Sequence, residues 1–140
     1  MRRPTIELQR GDSMYDNAMT LDVVGRILMA GFFVATAILN MSKAQVKNHV
    51  DRLIAGGTPY PTAVFWIGIV MELIGAALVL SGWNARIGVV VLIVFTIIAS
   101  LLFLRFWRQP DPMRRVIMRN GMLANVAIVG GLLLLLQHVS

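Results

Sequence analysis

The sequence predicts an all-α membrane protein: an antiparallel bundle of four spanning helices with a short amphipathic helix on the membrane surface. Three observations carry this. Between Thr62 and Trp83 the one ionisable side chain is Glu72, and from Ile87 to Leu104 there is none. Runs of about 18 or more apolar residues are long enough, at about 1.5 Å per residue, to cross a hydrocarbon core of about 30 Å. Only Ser81-Gly82-Trp83-Asn84, a turn-forming stretch, separates the two runs, so they read as a helical hairpin. Finally, the 140 residues are 57% hydrophobic with a mean hydropathy of +0.73, which is too apolar for an ordinary soluble domain.

Residues 1–20 are polar, with Arg2, Arg3 and Arg10 set against Glu7, Asp12 and Asp16. The segment lacks an apolar core and a small-residue cleavage site, so it does not read as a signal peptide. One membrane domain, residues 21–140, is expected after it. Its first span, residues 21–41, has Asp22 at its mouth and Arg26 about one turn inside, and Arg26, Ala30, Phe33, Ala37 and Asn40 share one helical face. From residue 43 to 55 apolar Val46, Val50, Leu53 and Ile54 alternate with Lys47, Asn48, Asp51 and Arg52 near the helical period. That pattern describes a helix lying on the membrane, begun by Ser42 and ended by Gly56-Gly57. Thr58-Pro59-Tyr60-Pro61 forces an extended link, because each proline biases its predecessor away from helix. Spans at 62–81 and 86–107 follow. Gln109-Pro110-Asp111-Pro112 breaks the third helix and caps a fourth, whose basic first third leads into a span at 118–137.

Charge and cysteine usage exclude several functions. With no cysteine, thiol catalysis, disulfides, iron–sulfur ligation and covalent haem attachment all fall away, and no cofactor is held covalently. There is no metal-ligand cluster, nucleotide loop or credible nucleophile, so the chain is not expected to catalyse a reaction alone. Its net charge of +6 is spread beside apolar spans, which points to anionic lipid headgroups and not to nucleic acid. Eight Lys and Arg residues on the side of loops 42–61 and 108–117, against five on the other, place those loops in the cytoplasm. A multi-pass protein of the cell membrane, the inner membrane of a bacterium, is the expectation.

Four groups of side chains are candidates for function. Gly68, Glu72, Gly75, Val79 and Gly82 recur at steps of four and three, which sets the Glu72 carboxylate in a glycine stripe facing another helix. A carboxylate near mid-bilayer marks a function or a buried pair, and Arg26 on the antiparallel first helix is its expected partner. The pair reads first as a fixed staple between helices, with a proton-relay or ligand site as the alternative. Thr96, Ser100 and Asn125 should form a polar layer across the bundle, serving interhelical hydrogen bonding or a small polar ligand such as a quinone headgroup. Arg105, Arg108, Arg114, Arg115 and Arg119 read as a basic collar for lipid headgroups or an acidic partner. His49 and His138 fall on opposite membrane faces, which argues against a shared haem and for two interfacial side chains. Trp66, Trp83 and Trp107 lie near span ends, as an aromatic belt requires.

Several segments together resemble the DoxX-like family of small membrane proteins. Gly25-Arg26-Ile27-Leu28 with Ala30 looks like the opening of that family's first helix, and Gly57-Thr58-Pro59 like its approach to the second. Glu72-Leu73-Ile74-Gly75 resembles its Glu-Leu-x-Gly core, and Arg86 matches the arginine that begins its third helix. Phe103 with Phe106-Trp107, then Asn125-Val126-Ala127 and Gly130-Gly131, resemble its later signatures. Leu104, Asn40 and Ala124 depart from it, standing where a histidine and two lysines are common. The resemblance implies a four-helix bundle, and some relatives are membrane subunits of quinone-linked redox complexes. An accessory subunit that anchors partner proteins and helps form a quinone or lipid site is therefore expected. The rival is a non-redox structural or transport-related bundle that assembles with itself or another membrane protein.

Overall fold

A computed structural model describes the backbone of residues 5–139 and the side chains from residue 11 onward. Arg2 and Arg3, and the side chains of Glu7 and Arg10, lie outside the described residues. Among the described residues five α-helices follow one another: α1 (Thr5–Asn40), α2 (Lys43–Ala55), α3 (Pro61–Ser81), α4 (Ala85–Phe103) and α5 (Pro112–His138), with a 3₁₀ turn at Phe106–Arg108. All but α2 are long and apolar enough to cross a membrane.

The boundaries follow local chemistry. Ser42 caps α2 by accepting a hydrogen bond from the Gln45 amide. Pro61 opens α3, where its missing N–H leaves nothing unsatisfied. The hairpin to α4 needs left-handed backbone at both Gly82 (φ 71°) and Asn84 (φ 49°), residue types that accept it. Asp111 caps α5 by accepting from the Met113 amide at 3.1 Å. In two places the helices depart from the sequence reading. The expected polar N-terminal segment is continuous with the first span, since between Thr5 and Asn40 nothing stronger than isolated glycines opposes the helix. In the third span the α-helix itself ends at Phe103, and a tighter 3₁₀ turn at Phe106–Arg108 completes the apolar stretch.

α3 is central, flanked by α1 and α4; α5 packs on α4 and meets α1 only sparingly. Its closest partner is α4. A Cβ added to Gly88 would stand 2.8 Å from the carbonyl oxygen of Gly75, and one added to Gly75 would stand 2.8 Å from Leu92 Cδ2. Two glycines therefore face each other where the antiparallel helices cross, and the backbones approach as only small residues permit. Around the crossing Ala30, Phe33, Ala76, Val79, Val89, Leu92 and Leu132 form the main core. A second cluster, Leu53, Phe65 and Ile69, seats α2 against α3. Lipid-facing positions carry exposed Ile67, Val70, Ile74, Val90, Val94, Ile97 and Leu101. α5 buries only Leu132 among the described residues.

The crossing predicts an order of sensitivity to glycine substitution. Gly88→Ala collides with backbone and should destabilise the detergent-solubilised protein by about 1–3 kcal/mol. Gly75→Ala, which meets a side chain first, should cost less, and Gly130→Ala, with nothing within 4 Å, should change stability by under about 0.5 kcal/mol. Denaturant titration followed by circular dichroism would read all three.

Candidate functional site

Away from the crossing, α3 and α4 separate, and α2 leans over the opening. The space left is a cavity of about 230 Å³, lined by Phe65, Gly68, Ile69, Met71, Glu72, Phe95, Ala99 and Phe103, with His49 and Asn40 also on its wall. Ile67 and Ile98, exposed on the lipid-facing side of the bundle, line it as well, so it opens toward the membrane. Nearly all of its surface is apolar, with three polar exceptions: Glu72, His49 and Asn40.

Glu72 is 2% exposed. Its Oε1 accepts a hydrogen bond from the Thr36 hydroxyl on α1, while Oε2 is buried without a partner. Thr36 Oγ1 also lies 3.0 Å from the Phe33 carbonyl and 3.1 Å from that of Phe32, so its single proton has both a helix carbonyl and the carboxyl within reach. About two turns along α3, near Phe65, the His49 ring stacks on Phe65 with centroids 5.7 Å apart and meets Phe103 edge-on at 5.1 Å. His49 Nε2 is 3.1 Å from Asn40 Oδ1, and Nδ1 is buried with no partner. Burial, and secondarily the Arg52 charge, hold the imidazole below the usual histidine pKa. It is a neutral ring at neutral pH.

The expected Arg26–Glu72 pair does not form. Arg26 pairs instead with Asp22, one turn back on its own helix, at 2.9 Å. The antiparallel register sets Thr36 opposite Glu72 and Arg26 beside Gly82 at the far end of α3. Ten residues, about 15 Å of helix, therefore separate Arg26 from the level of Glu72, beyond the reach of its side chain. The polar layer does assemble. Asn125 Nδ2 donates to Ser100 Oγ at 2.8 Å, and Ser100 and Thr96 each donate to a carbonyl one turn back on α4. Thr96 and Asn125 share with Thr36 a smaller cavity of about 140 Å³, so Thr36 stands between the two spaces.

Of the arginines, Arg105 donates to the Leu101 carbonyl and Arg115 to the Gln109 carbonyl, which gives these two a structural task. Arg108, Arg114 and Arg119 are exposed at the same end. Trp66, Trp83 and Trp107 are exposed near helix ends. His138 lies at the opposite end of the bundle from His49, in a groove it shares with Asp22. His49 corrects its own sequence reading: it turns into the protein and not to the interface. The signal was present, because Val46, His49, Val50 and Leu53 fall at helical spacing on the face of α2 that meets the bundle. Asn40 was legible on the shared face of α1 with Phe33 and Ala37, and Thr36 only as a neighbour of that face.

The model of the DoxX family matches residues 21–105, more than half of the chain. The chain belongs to the DoxX family. Every residue lining the larger cavity falls inside the matched stretch, whereas α5, with Asn125, lies beyond it. No curated protein and no solved structure matches the chain. Membership and four apolar helices make this DoxX-family protein a small multi-pass membrane protein in contact with lipid.

Two measurements test the site. A double-mutant cycle of Thr36→Val with Glu72→Gln should return a coupling of about 1 kcal/mol or more, and a cycle of Arg26→Gln with Glu72→Gln less than about 0.5 kcal/mol, in denaturant titrations. His49 gives a pH dependence. Its folded pKa lies below that of the unfolded chain, so stability falls as pH drops below about 6.5, where only the unfolded imidazole takes up a proton. Loss of stability between pH 7.5 and 5.5 should therefore be larger in the wild type than in His49→Phe.

Proposed function

We propose that this DoxX-family protein is a membrane subunit of a quinone-linked oxidoreductase, and that the cavity between α2, α3 and α4 takes the quinone headgroup. The observation that supports this reading is a pocket open toward lipid, apolar in its walls and polar at two ends. An apolar cavity of about 150 Å³ is enough for a benzene ring. About 230 Å³ fits one substituted ring, with an isoprenoid tail left among the lipid chains past Ile67 and Ile98. Phe65, Phe95 and Phe103 offer ring faces and edges, and His49 and Glu72 offer polar groups at separate levels. A charged or strongly polar ligand would find too little here to replace its hydration.

In this role the chain binds and orients the ring while electrons are handled by redox subunits docked on the membrane domain. The exposed Arg108, Arg114 and Arg119 lie at the same end of the bundle as α2, and there they contact anionic headgroups or an acidic partner. The excess of basic residues on that side orients it toward the cytoplasm of a bacterium.

The test is purification in mild detergent, with mass spectrometry of extracted lipids and co-purifying chains. Quinone near one equivalent per chain, lowered about tenfold or more by Gly68→Leu, whose side chain would project into the cavity, is the expected result. A self-associated bundle carrying bulk phospholipid alone, with no redox subunit, would instead establish the non-redox structural role.

A further inference from the structure

α1 and α5 meet where Gly131 faces Met29, so closely that a Cβ on the glycine would stand 2.9 Å from Met29 Cε. From that contact toward the end of the bundle opposite α2, the two helices part and leave a groove of about 400 Å³. They run antiparallel, so the contact of Met29 with Gly131 fixes the levels beyond it. Asp22 stands seven residues from Met29 and His138 seven from Gly131, about two helical turns in each case. Both therefore return to the side of the helix that lines the groove, at one height, about 10 Å from its floor. Eighteen residues of α1, about 27 Å, separate Asp22 from Asn40, so the mouth of the groove lies at headgroup depth in a membrane with a hydrocarbon core of about 30 Å. Between mouth and floor the walls are Gly25, Leu134 and Leu135, all apolar.

The mouth is open and carries two hydrogen-bond acceptors. The Asp22 side chain is 25% exposed, and its pairing with Arg26 engages Oδ2 and leaves Oδ1. His138 is exposed, with Nδ1 2.9 Å from the Leu134 carbonyl oxygen. A carbonyl only accepts, so in the neutral ring Nδ1 carries the proton and Nε2 is left as an acceptor. A carboxylate and an imidazole acceptor at one level call for a cationic N–H donor, and the apolar wedge beneath them calls for a hydrocarbon chain. We infer that this groove holds a phospholipid with a primary ammonium headgroup, its acyl chain between α1 and α5 and its ammonium at Asp22 and His138. Charge complementarity selects this lipid over others. Asp22 and Arg26 present both signs about one turn apart, as a zwitterionic ethanolamine headgroup does. A glycerol headgroup brings only a negative phosphate to the carboxylate, and a choline headgroup has no N–H to donate. A wedge that closes over about 10 Å also suits a flexible acyl chain better than a partner helix about 10–12 Å across. The groove shares no lining residue with the cavity beside Glu72, so its occupancy does not depend on the quinone reading.

The experiment is native mass spectrometry of the purified protein after exchange into detergent micelles holding equimolar phosphatidylethanolamine, phosphatidylcholine and phosphatidylglycerol with identical acyl chains. The ethanolamine lipid should be retained about fivefold or more above either competitor, as one charge-assisted hydrogen bond at a partly solvated site allows. Asp22→Asn should keep a bound lipid but lose the preference, and His138→Phe should reduce it. Gly25→Leu, at a position where a Cβ meets nothing within 4 Å, should leave the circular dichroism spectrum unchanged and lower retention of all three lipids, because its side chain fills the groove. Equal retention of the ethanolamine and choline lipids by the wild type, a preference for the glycerol lipid, or an ethanolamine preference that Asp22→Asn leaves intact overturns the inference. Retention of a partner chain in place of any lipid, released by Gly25→Leu, overturns it as well.

Discussion

The contact between Gly75 and Gly88 governs the rest of the structure. In a membrane the lipid chains are as apolar as leucine, so helices gain little from hiding hydrophobic side chains and depend on close packing instead. Two facing glycines supply that closeness at one level of the α3–α4 hairpin, where each added methyl group would press into its neighbour. The same tight crossing then dictates a divergence. Seven residues away from it on each helix Gly68 meets the edge of Phe95, and beyond that point aromatic rings line the cavity. A cavity exists because the helices are pinned at one place and held apart at another.

The position of α2 follows from this geometry. Its apolar face, led by fully buried Leu53, fits over the wide end, and His49 enters with it. A surface helix thereby becomes a wall of the site, and its single imidazole exchanges water for Phe65, Phe103 and Asn40. On the other side α1 contributes Thr36, whose hydroxyl meets the buried Glu72 carboxyl. Four of the five helices thus meet at the cavity or at the carboxyl beneath it.

Much of this was legible in the chain. The four-span architecture is written in the length and purity of the apolar runs, and the inward aim of Glu72 in its spacing among glycines. What the sequence misjudged was depth. Arg26 and Glu72 were paired by counting from the ends of expected spans, yet the register between α1 and α3 is set by side-chain packing along their whole contact, and it brings Thr36 to that level instead. A threonine in an apolar helix carries no sequence signal for such a role, because its hydroxyl is equally content with a carbonyl of its own helix. His49 was placed at the interface for a different reason. Among Lys47, Asn48, Asp51 and Arg52 it reads as one more polar residue, and only its phase relative to Val46, Val50 and Leu53 separates it from them.

α1 is much longer than a bilayer crossing requires. At 36 residues it exceeds the roughly 20 that span a hydrocarbon core, and its side chains from Asp12 to Leu21 are exposed. An unbroken helix is stiff in torsion as well as in bending, so this projection is a shaft whose far part forms one side of the Glu72 environment. A push or twist on the shaft outside the membrane arrives at Thr36 as a displacement of its hydroxyl. The strength of the hydrogen bond held by the intramembrane carboxyl is therefore mechanically coupled to whatever load the exposed end of α1 bears.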